Sequence, residues 1–504
     1  MSHRDKLNRR EFITSAASIA ATISIVPSSV IAGTGHVPPS DQLTVANIGC
    51  GTQGLREMGD LLKNPKIRLV AVCDVNKSSS DYIDWSPYGI RNTIRETIGD
   101  NSWWEGKPGI PGGRDIGQEY VEKYYAKNKP SGRYKGCASY EDYRELLDQE
   151  KGIDVVKIMT PDHTHAPIAL AAMSKKINVV THKPIANRLL EGRKVIQKAS
   201  ESGAITHLLA WSDRPEYRQM KAWMDAGLIG DLQEIHNWSY RPVWQQWTSR
   251  PTASQPIPEG FNWQLWLGPV PDMPYHKQYT HNVFRGWYEF GGGSIADMGH
   301  YSLFPLFETL GIDRSPVSVR AYGTTTREEI NQVYQWVKNE VAFPASCTIK
   351  WKLPEQATLP AFDLFWYDGG MKPFACEELE SEGKDIPDEG LLLVGSKGKI
   401  LGGFRGENPV LLPEGSAMQG RDAERIKSQG VDRKTDLWVE SMLAGTQTPG
   451  SFTRAQCITD TINLGAIALR TGKKIDFDAQ KIQITNDPKA QDLLTRTYRA
   501  GWEI

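Results

Sequence analysis

Three short stretches of the 504-residue sequence carry groups suited to acid–base work on a hydroxyl or to holding a nucleotide. The first is VVTHKP, residues 179–184, which sets His182 and Lys183 directly behind an apolar run and ahead of Pro184. Proline fixes its own φ and drives the residue before it into an extended shape. Lys183 is thereby held where the strand stops. An ammonium there can hydrogen-bond a substrate hydroxyl and lower its pKa, or it is a surface lysine in an ordinary strand–helix turn. The second stretch is GGGSIADMGHYSL, in which Asp297 precedes His300 by three residues and Tyr301 by four. On a helix these share one face, and a carboxylate beside an imidazole or a phenol is a workable proton relay. The same spacing also suits a helix cap followed by a packed tyrosine. The third stretch, NIGCGTQG, places Gly49, Gly51 and Gly54 in G-x-G-x-x-G spacing around Thr52 and Gln53.

That glycine turn sits in a telling context. LTVANI before it reads as a short apolar strand, residues from 55 to 63 read as a helix, and IRLVAVCD reads as a second strand ending at Asp74, twenty residues after Gly54. Strand, glycine turn, helix, strand and acid together are the dinucleotide fingerprint. Gly49 permits the tight turn, Gly51 lets the backbone approach a pyrophosphate, and Gly54 lets the helix pack on the strand. The helix N-terminus offers free N–H groups and partial positive charge to phosphates. Asp74 can accept from both ribose hydroxyls and repels a 2′-phosphate, which favours NAD over NADP.

The elements that position these groups alternate in type. IDVVKIMTP, INVVTHKP and AITHLLAW read as strands, and HAPIALAAMSKK and RLLEGRKVIQKASESG as helices between them. Such alternation makes a parallel, doubly wound sheet, here over residues 40–212. Its ligands bind at the carboxyl ends of the strands, so the turns GCG, TPDHTH and THKP must meet. Residues 78–135 interrupt the pattern with DWSPYGI and NSWWEGKPGIPGG, a tract expected to form a lid or subunit contact. From 213 to 504 many strands with few helices imply an α+β domain built on a large, mostly antiparallel sheet.

Composition narrows the function. A formal net charge of −1 leaves no electrostatic footprint for nucleic acid. The six cysteines include no CxxC pair and suggest neither zinc nor a disulfide framework. No metal site is expected. Sixteen tryptophans and eighteen tyrosines serve as core filler or as flat platforms for sugar rings. Residues 1–32 stand apart from the fold: Arg9-Arg10, a phenylalanine two residues on, and a mild apolar stretch resemble a twin-arginine export signal. That stretch is too polar to be a good membrane span. Periplasmic export in the folded state is the expectation, with no other membrane association.

Together the motifs resemble the family of glucose–fructose oxidoreductase, inositol dehydrogenase and rhizopine-type dehydrogenases (Gfo/Idh/MocA), over nearly the whole chain from IGCGTQG to the terminal AGWEI. Family members carry Glu-Lys-Pro where this chain has His182-Lys183-Pro184. Their Thr-Pro-x-x-x-His segment is matched by Thr160-Pro161-Asp162-His163-Thr164-His165. Their glycine-rich turn leads to an aspartate with a second acid–base group four residues on, a histidine in some members and a tyrosine in others. Asp297-Met298-Gly299-His300-Tyr301 follows the tyrosine pattern and adds a histidine one position earlier.

The resemblance implies a tightly bound nicotinamide cofactor and a sugar or glycoside substrate. Lys183 with Tyr301 or His300 would hold the reacting hydroxyl, and Asp297 would orient that group. Thr160, Pro161 and His165 would border nicotinamide, His165 also the substrate. Arg285, Trp287, Tyr288 and Arg241 would contact the sugar, and the chain would form a homo-oligomer, dimer or tetramer. His182, in place of the usual glutamate, either alters the local charge around Lys183 or caps the strand against solvent, the second being the expectation. Export away from a free NAD pool implies a cofactor regenerated in place, which suits a sugar oxidoreductase. It also suits a glycosidase that oxidises C3 transiently, eliminates the substituent and adds water. A non-catalytic sugar or nucleotide sensor on the same fold is a third reading, opposed by the proton-relay residues.

Overall fold

The structure, a computed structural model, describes residues 41–128, 136–242, 244, 247–337, 339–413 and 437–504. The residues of the export-signal expectation, 1–32, lie outside this set.

Six parallel strands form the first sheet, in the order β3-β2-β1-β4-β5-β6. They are β1 (Leu43–Ile48), β2 (Ile67–Cys73), β3 (Ala138–Tyr140), β4 (Val155–Ile158), β5 (Asn178–Thr181) and β6 (Thr206–Leu208). Helices α1 (Thr52–Lys63), α2 (Gly89–Ile98), α3 (Arg114–Asn128), α4 (Tyr143–Gln149), α5 (His165–Ser174) and α6 (Leu189–Ser202) lie between them in sequence. Strands covered on both faces are buried along their length, as β4 is, Lys157 included. The strand order reverses at β1, which pairs with both β2 and β4. Register places Ile48 beside Ile158 and Ile158 beside Thr181. The three chain turns that begin at Gly49, Met159 and His182 therefore leave the sheet side by side, at the crevice where doubly wound folds bind ligands.

The tract 78–135, expected as a lid or subunit contact, contains α2 and α3. Ile90, Ile94, Ile116 and Tyr120 are buried in one cluster with Leu55 and Met58 of α1. Trp103 is buried too, and its indole N–H donates to Glu119 at 3.1 Å. Apolar spacing within the two helices outweighs the glycine- and proline-rich loops around them.

Nine strands form the second sheet, in the order β15-β14-β13-β7-β12-β11-β8-β16-β17. These are β7 (Leu232–Trp238), β8 (Ser318–Gly323), β11 (Cys347–Leu353), β12 (Phe362–Tyr367), β13 (Gly390–Gly395), β14 (Lys399–Gly402), β15 (Val410–Leu412), β16 (Ile475–Asp478) and β17 (Gln483–Ile484), while β9 (Thr326–Ile330) and β10 (Val333–Val337) pair as a separate hairpin. All pairings in the nine-stranded sheet are antiparallel except β7 with β12, as expected of an α+β domain. β11 shows the period of two that one covered face demands: Cys347, Ile349, Trp351 and Leu353 are buried, whereas Lys350 and Lys352 are exposed. Burying a large side chain in this way contributes roughly 1.5–3 kcal/mol. Covering that face is the helix α7 (Gln456–Thr471), whose Thr461 carbonyl accepts the Trp351 indole N–H at 2.8 Å.

The chain after residue 436 also returns to the first sheet. Leu208 of β6 donates its N–H to the Gly450 carbonyl at 2.8 Å. Trp438 and Val439 are buried among the residues of β1 and α1. The two sheets thus belong to one compact unit from Leu43 to Ile504.

Candidate active site

A cavity of about 610 Å³ runs along the carboxyl ends of β1, β4 and β5, within the usual range for small-molecule sites. Its walls include Gly49, Gly51, Thr52, Gln53, Gly54 and Asp74 from the glycine turn and its acid, and Thr160, Pro161 and Lys183 from the neighbouring turns. Asp297, Tyr301, Arg285 and Arg241 close it from the second part of the chain. The meeting of the three turns was expected from the alternation of strands and helices, and the register of three parallel strands creates it.

At one end the backbone itself is the binding surface. Gly49 has φ +102°, and a Cβ there would lie 2.5 Å from the Met159 carbonyl oxygen. A Cβ on Gly54 would lie 2.2 Å from the Gly49 carbonyl oxygen. Gly51 caps α1 with no side-chain hydrogen bond to the first turn, so N–H groups of that turn remain for an anion. Asp74 takes the Cys50 N–H on Oδ2 at 2.6 Å and the Asn76 N–H on Oδ1 at 2.9 Å. A carboxylate has about four acceptor positions, so each oxygen can still take a ribose hydroxyl. Burial raises the Asp74 pKa against the pull of these two N–H groups. A cradle that excludes side chains, an uncapped helix N-terminus and a waiting acid fit a dinucleotide.

At the other end stand the charged residues. Lys183 is buried, and its Nζ donates to Asp297 Oδ1 at 2.6 Å. Burial and the Arg285 charge lower the Lys183 ammonium to about 8, against the pull of Asp297. Burial would raise Asp297, but Lys183 and Arg285 outweigh it and hold the carboxyl at about 2. Arg285 reaches two carboxylates, with Nε 3.5 Å from Asp297 and Nη2 3.5 Å from Asp162. Asp297 sits in a single π-helical turn, Ile295–Gly299, that runs into the α-helix His300–Leu310. Such turns are frequent at functional sites.

Tyr301 Oη lies 2.9 Å from His182 Nε2, and Lys183 Nζ lies 4.9 Å from the centre of the Tyr301 ring. Glu57 follows: its Oε1 is 3.6 Å from His182 Nε2, and its Oε2 is 2.7 Å from Lys157 Nζ. Burial raises the Tyr301 phenol well above its ordinary value. Burial and then Lys183 push His182 far down, so the ring is neutral and its Nε2 can accept. The expectation that His182 caps the strand against solvent is therefore corrected. The ring is buried and bonded to the phenol.

Other candidates fall elsewhere. His300 does not line the cavity: it is fully buried, with Nδ1 3.0 Å from the Ala296 carbonyl. Next to it in sequence, Tyr301 is turned by about 100° around the helix and faces the cavity. His165 is also absent from the lining. Its Nδ1 lies 2.6 Å from the Pro184 carbonyl and its Nε2 2.8 Å from that of Thr160. It braces the Lys183 turn against the β4 turn. Trp287 and Tyr288 are not sugar platforms. Trp287 stacks on Trp247 at 4.7 Å and donates to the Gln278 carbonyl, while Tyr288 packs on Phe343. Both are core because their neighbours are aromatic.

The sequence reading missed Glu57, Tyr82, Trp85 and Arg405, of which the last three line the cavity. Glu57 alone had a signal, lying one helical turn after Gln53. Among the described residues, no group of three or more His, Cys, Asp or Glu is placed to hold a metal ion.

Comparison with known proteins finds relatives of both parts of the chain. The model GFO_IDH_MocA_C2, "Oxidoreductase family, C-terminal alpha/beta domain", matches residues 217–359 and 376–504. The model GFO_IDH_MocA, "Oxidoreductase family, NAD-binding Rossmann fold", matches residues 120–209. Levoglucosan dehydrogenase of Pseudarthrobacter phenanthrenivorans is 32% identical over 118 residues, 23% of this chain and 28% of its own. A glycosyl hydrolase family 109 protein of Stenotrophomonas maltophilia is 28% identical over 173 residues, 34% of this chain and 29% of its own. The chain thus spans under a third of the length of these curated relatives. The WlbA dehydrogenase of Bordetella pertussis, solved with NADH and UDP-GlcNAcA, superposes with a TM-score of 0.50 at 13% identity, over 87% of this chain and 99% of its own. That likeness is one of fold.

Proposed function

The chain belongs to the Gfo/Idh/MocA oxidoreductase family, with that family's NAD-binding Rossmann fold, and on that premise we propose that it is an exported NAD-dependent oxidoreductase acting on a hydroxyl of a sugar or glycoside. One observation carries the reading: Lys183 and Tyr301 face the same cavity, each with a buried partner, at strand ends beside the glycine turn. Relatives named for levoglucosan and inositol dehydrogenation support the substrate class.

NAD held along the glycine turn and Asp74 supplies a hydride acceptor for the carbinol carbon. The chain does the rest. Lys183 Nζ donates a hydrogen bond to the reacting hydroxyl oxygen and stabilises negative charge as it develops there. Asp297 holds the ammonium in place. Tyr301 Oη accepts the hydroxyl proton as its own phenolic proton passes to His182 Nε2, and Glu57 Oε1 receives it next. Glu57 is partly exposed, its side chain at 22%, and it returns the proton to water. Its other oxygen, Oε2, is held by Lys157 Nζ at 2.7 Å.

The alignment to a glycosyl hydrolase supports a second reading, a glycosidase that uses the same groups through transient oxidation and elimination. Arg9-Arg10 ahead of a mild apolar stretch supports twin-arginine export to the periplasm in the folded, cofactor-loaded state. Self-association, a dimer or tetramer, belongs to the same proposal and is checked by light scattering.

Mass spectrometry of the native protein tests for tightly held NAD. Incubation with aryl glycosides then separates the two chemistries. A keto-sugar with reduced cofactor supports the oxidoreductase, and aglycone release without net NADH supports the glycosidase. Undiminished turnover in Lys183→Ala would overturn both.

A further inference from the structure

The cavity wall sets five lysine and arginine side chains against five carboxylates, but they are not all paired with one another. Lys183 and Arg285 are met by Asp297 and Asp162, and Arg56 is paired with Asp84. Arg241 and Arg405 also line the cavity. Among the described residues neither has a carboxylate within ion-pair distance of its guanidinium. The Nε and Nη1 atoms of Arg241 are buried and have no hydrogen-bond partner. Its guanidinium carbon lies 4.6 Å from the centre of the Trp85 ring and 5.5 Å from that of Tyr240. Arg405 stands over the Tyr301 ring at 4.7 Å. Both arginines come from the second sheet, Arg241 three residues after β7 and Arg405 three residues after β14.

Buried donors without acceptors are costly, and a guanidinium kept so is aimed at an acceptor the protein does not supply. Its planar fork matches a carboxylate or sulfate with paired hydrogen bonds. Stacking on Trp85 and Tyr240 fixes the plane of that fork while leaving its edge free. The Arg405 position over Tyr301 puts the second cation beside the proposed proton acceptor.

We propose that the substrate is an anionic sugar, bearing a carboxylate or sulfate that Arg241 and Arg405 receive while Lys183 and Tyr301 hold the reacting hydroxyl. The inference rests on the oxidoreductase reading for the role of Lys183 and Tyr301, but charge selection can be measured without turnover.

Titration calorimetry of the cofactor-loaded enzyme with methyl glucuronide, methyl glucoside and methyl glucoside 6-sulfate provides the test. One of the two anionic probes should bind about 10- to 100-fold tighter than the neutral one, the size of one or two charge-assisted hydrogen bonds. Which one binds tells carboxylate from sulfate. The preference should shrink to within roughly threefold in Arg241→Met and Arg405→Met, with nucleotide content retained. Equal binding of the neutral probe by the wild type overturns the inference, and this comparison stands even if a variant fails to fold. Loss of nucleotide in Arg241→Met with the preference unchanged overturns it as well, since the arginine would then serve the cofactor. Turnover is read separately. A neutral glycoside that binds equally and is oxidised removes the anionic substrate and leaves the oxidoreductase. An anionic sugar that binds tightly but is never oxidised or cleaved removes the oxidoreductase and leaves the charge selection.

Discussion

His182 Nε2 stands 2.9 Å from Tyr301 Oη, joining the turn after β5 to a helix 119 residues further along the chain. The contact gives the phenol a proton acceptor inside the protein. Substituting Tyr301→Phe deletes the hydroxyl and leaves the ring, so turnover should fall by about 10²–10⁴-fold with nucleotide content unchanged. His182→Gln retains an acceptor but cannot carry a proton onward. It should lower turnover by roughly 10- to 100-fold, a part of the general acid–base contribution. Wild-type turnover in Tyr301→Phe would remove the phenol from the mechanism.

The Lys183–Asp297 pair makes the rate depend on pH. The ammonium form donates to the substrate oxygen, and burial with Arg285 brings its pKa down to about 8. Activity should therefore decline as pH rises through about 8. Asp297 opposes that downward shift, so Asp297→Asn should move the declining limb to lower pH. The profile of kcat/KM against pH reads this directly. An unmoved limb in the variant would assign it to another group.

Nucleotide retention should fail at the glycine turn before anything else in the cavity is touched. Gly49→Ala puts a Cβ 2.5 Å from a backbone oxygen at φ +102°, a strain of roughly 1–3 kcal/mol or more. The purified variant should carry little or no NAD. Its melting temperature should fall to that of wild type stripped of cofactor, or below it. A full complement of nucleotide in Gly49→Ala would refute the assignment of this turn.

Acid should destabilise the protein earlier than its carboxylates alone would. Burial holds His163, His207 and His300 at about 3, against about 6.5 in an unfolded chain. The unfolded state then binds more protons, so their full contribution is present above pH 6.5 and is lost as pH falls toward 3. Each withdraws up to about 1.4 kcal/mol per pH unit in that window. Asp297, held at about 2, withdraws its share only at lower pH, below its unfolded value. Thermal melts from pH 7 to 4 should show a steady fall. A flat profile would mean that these imidazoles are protonated in the folded state.

The local patterns that were legible in the sequence are those one element can enforce. Gly49 and Gly54 leave no room for a side chain, and their spacing, set between a strand and a helix with Asp74 closing the next strand, announced the turn. Alternation of apolar runs announced the parallel sheet, and Pro184 announced that Lys183 stands where a strand has stopped. Spacing also placed Asp297 and Tyr301 on one helical face. Spacing could not separate His300 from Tyr301, because that choice depends on which side of the helix meets the cavity and which meets the core.

Contacts between distant segments were not legible. The partners of Trp287 and Tyr288 come from other segments, Trp247 and Phe343, so two aromatics that read as sugar platforms became core. His165 read as a site residue but braces two turns, because the carbonyls of Thr160 and Pro184 flank its ring. His182 read as a strand cap until the helix carrying Tyr301 was set against it. What the chain determines by itself is backbone conformation and the type and succession of its elements, since steric exclusion and periodicity act over a few residues. Burial, proton partners and the unanswered charges of Arg241 and Arg405 were decided only when the two sheets came together, because each depends on groups that meet in space and lie far apart in sequence.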